Sequence, residues 1–207
     1  MSYRSVLKAR AEREERAREI HRADTRRRRV RVAVWLVAVV AVVGAVTAMM
    51  LSSRPESSSD VRRAPDFSLV DTSGATHTLA QHRGENVLLY FSEGAGCQAC
   101  LMQMAAIEKD QDAYAAEDVT VLPVVMNTRS QIMHDMRLNG VTTPFLLDDG
   151  TVSEAYDTLG KGMHAGLPGH SFVLIDEEGT QRWYGEYPSM WLDPVQLLEQ
   201  VRDHLGD

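Results

Sequence analysis

Cysteine is scarce in this chain, with two in 207 residues, and proline and glycine are modest at 7 and 14. So few cysteines exclude a disulfide-stapled mini-protein, and the low glycine and proline content excludes a collagen-like chain. A hydrophobic share of 44 % excludes a wholly disordered one. Basic charge is also scarce over most of the length. Residues 1–31 carry 12 Lys/Arg against 5 Asp/Glu, while residues 32–207 carry 10 against 24, so a head of +7 precedes a body of −14. A body this acidic repels a phosphate backbone, and no nucleic-acid partner is expected. The length leaves room for one ordinary domain with attachments.

What the chain does have is one long apolar run. Residues 32–51 (VAVWLVAVVAVVGAVTAMML) hold no charge, and twenty residues at about 1.5 Å rise match the roughly 30 Å of a bilayer core. A transmembrane helix is expected here. Arg26, Arg27, Arg28, Arg29 and Arg31 abut its N-terminal end, and the serines 52 and 53 follow it. The positive-inside rule therefore puts the N-terminus in the cytoplasm and the body of the protein outside the plasma membrane, as a single-pass chain. A cleavable signal peptide is the competing reading, but its apolar core is normally about 7–15 residues behind a short basic segment, so an uncleaved anchor is expected. No cysteine directly follows the run, which removes a lipoprotein anchor. Residues 1–31 are expected to be a solvated, partly helical cytoplasmic tail, either a topology signal alone or a contact for anionic inner-leaflet lipids.

Residues 52–65 (SSRPESSSDVRRAP) mix serine, proline and charge without apolar periodicity and predict a flexible linker. From 66 to 207 the pattern alternates between strand and helix, an α/β rhythm. A short pair of strands at 67–70 and 76–79 flanks a turn, Asp71-Thr72-Ser73-Gly74. Continuous apolar strands are predicted at 87–91, 119–125 and 172–175, with shorter ones at 145–147 and 182–185. Helices are predicted at 97–117, 130–138, 152–159 and from Pro194 onward. Tyr90, Trp183 and Trp191 are read as core or rim aromatics.

The two cysteines form one motif, Cys97-Gln98-Ala99-Cys100, directly after a buried strand and at a predicted helix start. At a helix N-terminus the unpaired N–H groups and the dipole favour thiolate over thiol, and the i, i+3 spacing puts both sulfurs on one face. Cys97 should be the exposed attacker and Cys100, one turn inside, the resolving thiol. Other readings remain open from the residues alone. A structural disulfide would close a four-residue ring, which constrains the unfolded chain little. Zinc would need further ligands than one pair supplies. Copper(I) is suited by thiolates with Met or His, and Met102, Met104, Met163, His164 and His170 are available, although 102 and 104 do not share a helix face.

Residues 64–100 (APDFSLVDTSGATHTLAQHRGENVLLYFSEGAGCQAC), 145–160 (FLLDDGTVSEAYDTLG) and 171–187 (SFVLIDEEGTQRWYGEY) resemble the redoxin group of the thioredoxin superfamily. That group comprises the AhpC/TSA peroxiredoxins and the membrane-tethered TlpA/ResA-like thiol–disulfide oxidoreductases. The resemblance implies a thioredoxin fold, a central mixed sheet flanked by helices, with a short N-terminal hairpin and an inserted strand and helix. Peroxiredoxins place Pro and Thr or Ser seven and three residues before the attacking cysteine. Here those positions are Tyr90 and Gly94, which favours dithiol exchange over peroxidase chemistry. Thioredoxins set a cis-proline opposite the CxxC. That slot falls on His170, with Pro168 two residues earlier, so one of the two is expected to face Cys97. His170 would then stabilise the thiolate or take a proton, and Glu93 is a candidate proton relay unless it is merely an exposed loop charge.

These readings converge on a membrane-anchored extracytoplasmic thiol–disulfide oxidoreductase with Cys97 and Cys100 as catalytic residues and His170, Pro168 and Glu93 as auxiliaries. Its partners would be extracytoplasmic protein thiols and disulfides and an electron donor, and it would need no cofactor beyond the cysteine pair. A copper-delivery protein of Sco-like type, whose own pattern is CxxxC, or a thiol peroxidase are the alternatives.

Overall fold

A computed structural model describes residues 27–29, 31–51, 54–59, 61–160 and 165–206. The expected cytoplasmic tail up to residue 26 lies outside them, as do Met163 and His164. The chain divides into two compact units, Met1–Ser52 and Ser53–Asp207.

The first unit contains helix α1 (Arg27–Leu51), long and apolar enough to cross a membrane. Its 25 residues span about 37 Å. Its one hydroxyl in the apolar stretch, Thr47, donates back to the Val43 carbonyl at 2.8 Å, so no polar group projects from that turn unsatisfied.

Among the described residues the second unit is built on one mixed sheet of nine strands: β1 (Glu56–Ser58), β2 (Arg62–Arg63), β3 (Ser68–Asp71), β4 (Thr76–Thr78), β5 (Asn86–Phe91), β6 (Val119–Val125), β7 (Leu146–Leu147), β8 (Ser171–Ile175) and β9 (Thr180–Glu186). The order is β1-β9-β8-β5-β6-β7-β3-β4, with β2 also on β9. β5 runs parallel to β6 and antiparallel to β8. Val87, Leu88, Leu89, Tyr90 and Phe91 are fully buried, as a central strand covered on both faces requires.

Strand alternation then sorts the core. Leu88, Tyr90, Phe172, Leu174 and Trp183 point to one face, where they meet α2 (Gln98–Lys109), α3 (Gln111–Ala115), α4 (Arg129–Asn139) and α6 (Pro194–Leu205). Val87, Leu89, Phe91, Val173 and Ile175 point to the other, against Phe67, Leu79, Val152 and Tyr156. Helix α5 (Thr151–Ala155) contributes Val152 to that second layer.

Several predicted elements change on folding. Residues 52–65, expected to be a flexible linker, instead supply β1 and β2 as antiparallel partners of β9, and the Trp183 indole N–H donates to Ser57 Oγ at 2.9 Å. A Ser-rich edge strand has no apolar alternation to announce it. Its hydrogen bonds are completed by the free edge of β9. The single helix expected over 97–117 is broken at Asp110, which ends α2 and begins α3, in keeping with aspartate's preference for helix ends over interiors. The helix expected at 152–159 stops at Ala155. Asp157 turns left-handed, and Thr158 bonds back to the Ser153 carbonyl through both its N–H and its hydroxyl. In α6, Asp193 caps the N-terminus ahead of Pro194, and Leu197 and Val201 are buried while Val195 is exposed.

Candidate active site at the N-terminal end of α2

Because β5 and β6 are parallel, their C-terminal ends lie at the same edge of the sheet, where the loops that follow them are neighbours. The loop of residues 92–96 leaves β5 there and delivers Cys97 to the cap of α2. Three side chains that follow β6 hold it. Asn127 Oδ1 accepts from the Ala95 N–H at 2.8 Å and Asp135 Oδ2 from the Gly96 N–H at 2.7 Å. Asn139 Oδ1 accepts from the side-chain amide of Gln98, the first residue of α2, while its own side-chain amide donates to the Asp135 backbone carbonyl at 2.8 Å. Gly94 makes the close approach possible. Its φ is +69°, and a Cβ there would collide with Asn127 Oδ1 and come to 2.7 Å from Val125 Cγ1.

Cys97 is the N-cap residue of α2, and its Sγ accepts from the Cys100 N–H at 3.2 Å. Cys97 is half-buried and Cys100 is 1 % exposed. The two sulfurs are joined in a disulfide with the Cα atoms 5.3 Å apart. One sulfur at the rim and one beneath it is the asymmetry that exchange chemistry needs, since a client can reach only one of them.

Beneath the first turn of α2 lies an aromatic stack. Tyr90 is stacked on Phe172 at 4.9 Å between ring centroids, Phe172 on Trp183 at 6.5 Å, and the His170 ring meets Tyr90 edge-on at 5.1 Å. The Tyr90 hydroxyl donates to the Cys100 carbonyl at 3.2 Å and lies 3.2 Å from His170 Nδ1. A phenol has one proton. With that proton on the Cys100 carbonyl, Nδ1–H of His170 is the donor to Tyr90, and Nε2 keeps its lone pair. Nε2 is buried without a hydrogen-bond partner among the described residues. Burial lowers the His170 pKa to about 4, so the ring is neutral at physiological pH. Burial likewise pushes the Tyr90 phenol well above its ordinary value.

The sequence-predicted site residues are thus partly brought together. Cys97, Cys100 and His170 share one region, with His170 tied through Tyr90 to the backbone of Cys100. Glu93 sits half-buried in the loop before Cys97 rather than exposed. Pro168 is buried and pairs with Leu159 in an isolated antiparallel bridge, and all peptide bonds of the described residues are trans. Of the two candidates for the position opposite the cysteines, His170 lies at the start of β8 beside Tyr90. Met102 is 52 % exposed and Met104 1 %, so these two thioethers point apart. Among the described residues no group of three or more His, Cys, Asp or Glu side chains is arranged to hold a metal ion. Sequence reasoning missed Asn127, Asp135 and Asn139, and it read Tyr90 as packing alone. The parallel pairing of the strands at 87–91 and 119–125 was the signal that the segment after the second would abut the CxxC.

A mixed thioredoxin-like sheet with a Cys-x-x-Cys pair at a helix cap defines a thioredoxin-like redox protein. The chain belongs to the AhpC/TSA family, whose profile matches residues 61–184. It is similar to the thiol-disulfide oxidoreductase ResA of Bacillus subtilis, 31 % identical over 104 residues, which covers 49 % of this chain and 58 % of that protein. It is also similar to a putative peroxiredoxin of Mycobacterium tuberculosis, 28 % identical over 122 residues and covering 56 % and 78 %. Among solved structures, the peroxidoxin BcpB of Mycobacterium tuberculosis superposes with a TM-score of 0.59 at 16 % identity, over 69 % of this chain and 95 % of that one. That likeness is one of fold.

Proposed function

We propose that this protein is a membrane-anchored thiol–disulfide oxidoreductase whose redox unit faces the extracytoplasmic side and reduces disulfides in partner proteins. The observation that carries the reading is the half-buried Cys97 at the cap of α2, joined to a buried Cys100 one turn below. With the pair reduced, the Cys97 thiolate attacks one sulfur of a client disulfide. A mixed disulfide forms and the other client sulfur leaves as thiolate. The Cys100 thiol gives up its proton and attacks Cys97 Sγ, which closes Cys97–Cys100 and releases the second client thiolate. Two electrons pass to the client, and the donor that reopens the pair must return two. The proton released by the Cys100 thiol goes to the departing client thiolate, and the neutral His170, joined through Tyr90 to the Cys100 backbone, is proposed to position that turn. No other cofactor is required.

Helix α1, with its arginines at the N-terminal end, supports the anchored, outward-facing arrangement. Tethered in that way, the dithiol sits where no glutathione pool keeps thiols reduced and clients carry disulfides.

The test uses the full chain in lipid vesicles with a disulfide-bonded model protein. Cys97→Ser is expected to lose reduction by at least about 100-fold, and Cys100→Ser to accumulate a mixed disulfide through Cys97. Wild-type rates in Cys97→Ser would overturn the reading. Protease protection of the vesicles tests the side on which residues 53–207 lie.

The name of the peroxiredoxin relative raises peroxide reduction as a second reading. The position three residues before Cys97 argues against it, because Gly94 offers no hydroxyl and a side chain there would run into Asn127. Hydrogen peroxide consumption by the reduced protein is expected to remain at the rate of a free thiol.

A further inference from the structure

The CxxC loop carries a charge arrangement that runs against the usual logic of such sites. A helix N-terminus favours an anion, and a reactive thiolate is stabilised by the N–H groups gathered there. In this chain one of the amides beside that end, Gly96 N–H, immediately before Cys97, is taken by the Asp135 carboxylate at 2.7 Å. The neighbouring amide, Ala95 N–H, is taken by the neutral Asn127 instead. Asp135 projects from α4, is half-buried, and is tied to its own helix by the Asn139 amide on its carbonyl. Among the described residues, the charged or titratable groups on the elements around this end of α2 are Glu93 on the loop, Arg129, His134, Asp135 and Arg137 on α4, and His170 below. Asp135 is the carboxylate bonded to the loop backbone.

We propose that Asp135 is a positioning residue of the dithiol: it fixes the loop that presents Cys97 and sets a negative charge against the Cys97 thiolate, which makes the couple more strongly reducing. The proposal rests on the reading that Cys97 and Cys100 cycle between disulfide and dithiol, a change of two electrons and two protons. The disulfide is neutral and indifferent to the charge. The reduced form, once Cys97 ionises, is raised in energy by a neighbouring anion. Raising the reduced form lowers the reduction potential, so the pair gives up its electrons more readily. Asn127 supplies the same kind of backbone hydrogen bond, to Ala95, without adding a charge.

The test is Asp135→Asn in the full chain, which keeps an acceptor for Gly96 N–H and removes the charge. The Cys97 thiol pKa, read from the pH dependence of alkylation of the reduced protein, is expected to fall by about one unit. At a pH above both thiol pKa values the midpoint potential should rise by about 30 mV, the two-electron equivalent of tenfold. Asp112→Asn, at the far end of the α2–α3 segment, should change neither. Asp135→Ser, neutral and shorter, should shift both quantities in the same direction and provides the test should Asn fold poorly. Wild-type pKa and potential in folded Asp135→Asn or Asp135→Ser would overturn the assignment while leaving dithiol exchange intact. A wild-type pair that cannot be reduced and reoxidised would overturn the exchange reading and this one with it.

Discussion

Two tight bends in the molecule solve the same problem in different ways. The turn between β3 and β4 is organised by its own first residue. Asp71 Oδ1 accepts from the N–H groups of Ser73, Gly74 and Ala75 at 2.7, 2.8 and 3.0 Å, and Oδ2 meets His77 Nε2 at 3.0 Å. The loop of residues 92–96 has carboxylate and amide acceptors too, but they come from Asn127 and Asp135, more than thirty residues further on. The first bend contains one left-handed glycine, Gly74 at φ +98° in open space, and the second two, Gly94 at φ +69° against Asn127 and Val125 and Gly96 at φ +90° in open space. The first bend carries its own carboxylate acceptor, with Phe145 bonding Thr72 from outside, whereas the second takes its side-chain acceptors from the segments that follow β6. A loop held from outside can be tuned through its holders without altering the cysteines.

The largest expected effect breaks the second bend. Gly94→Ala adds a clash to an unfavourable φ and should cost about 3 kcal/mol or more, read by denaturant unfolding, with a matching loss of disulfide exchange. Acid titration separates the two regions further. His170 is held neutral in the fold, while in the unfolded chain it binds a proton below about pH 6.5. The unfolded state then binds more protons, so stability falls as the pH drops from about 6.5 to about 4, by as much as roughly 3 kcal/mol from this group. His170→Asn should flatten that part of the stability profile.

Asp71 acts lower on the scale. Burial would raise its pKa, but hydrogen bonds from Ser73, His77 and Ala75 bring it down to about 2. Its contribution is therefore present above about pH 4 and lost as the pH falls towards 2. Asp71→Ala, which strips the turn of its acceptor, should cost about 2 kcal/mol at neutral pH and leave the exchange rate unchanged. The smallest effect is expected from Gly74→Ala. With nothing near the new methyl, only the backbone penalty of about 1 kcal/mol remains, again measured by unfolding. A Gly74→Ala as damaging as Gly94→Ala would break the distinction between the two bends.

Much of the redox unit was legible because its signals are local. The buried strands at β5, β6 and β8 announce themselves as apolar runs, the β3–β4 turn by its Asp and Gly, α6 by Pro194 and its apolar spacing, and the reactive pair by CQAC after a strand. The strands β1 and β2 were not legible, since serine and arginine form them only where β9 offers an unpaired edge. Which of Pro168 and His170 would stand beside Tyr90 was likewise hidden, as it depends on the pairing of β8 with β5. Tyr90 looked like packing because nothing near it in the chain says that its hydroxyl will reach Cys100 and His170.

By itself the sequence determined an apolar segment of bilayer length, an α/β alternation and two cysteines one helical turn apart, because hydrophobic period, length and i, i+3 spacing act between near neighbours. Only the tertiary structure decided which cysteine is sheltered, which histidine nitrogen keeps its lone pair, and which carboxylate stands at the mouth of α2. Those depend on groups as much as eighty residues apart, brought together by the parallel pairing of β5 with β6 and the antiparallel return of β8.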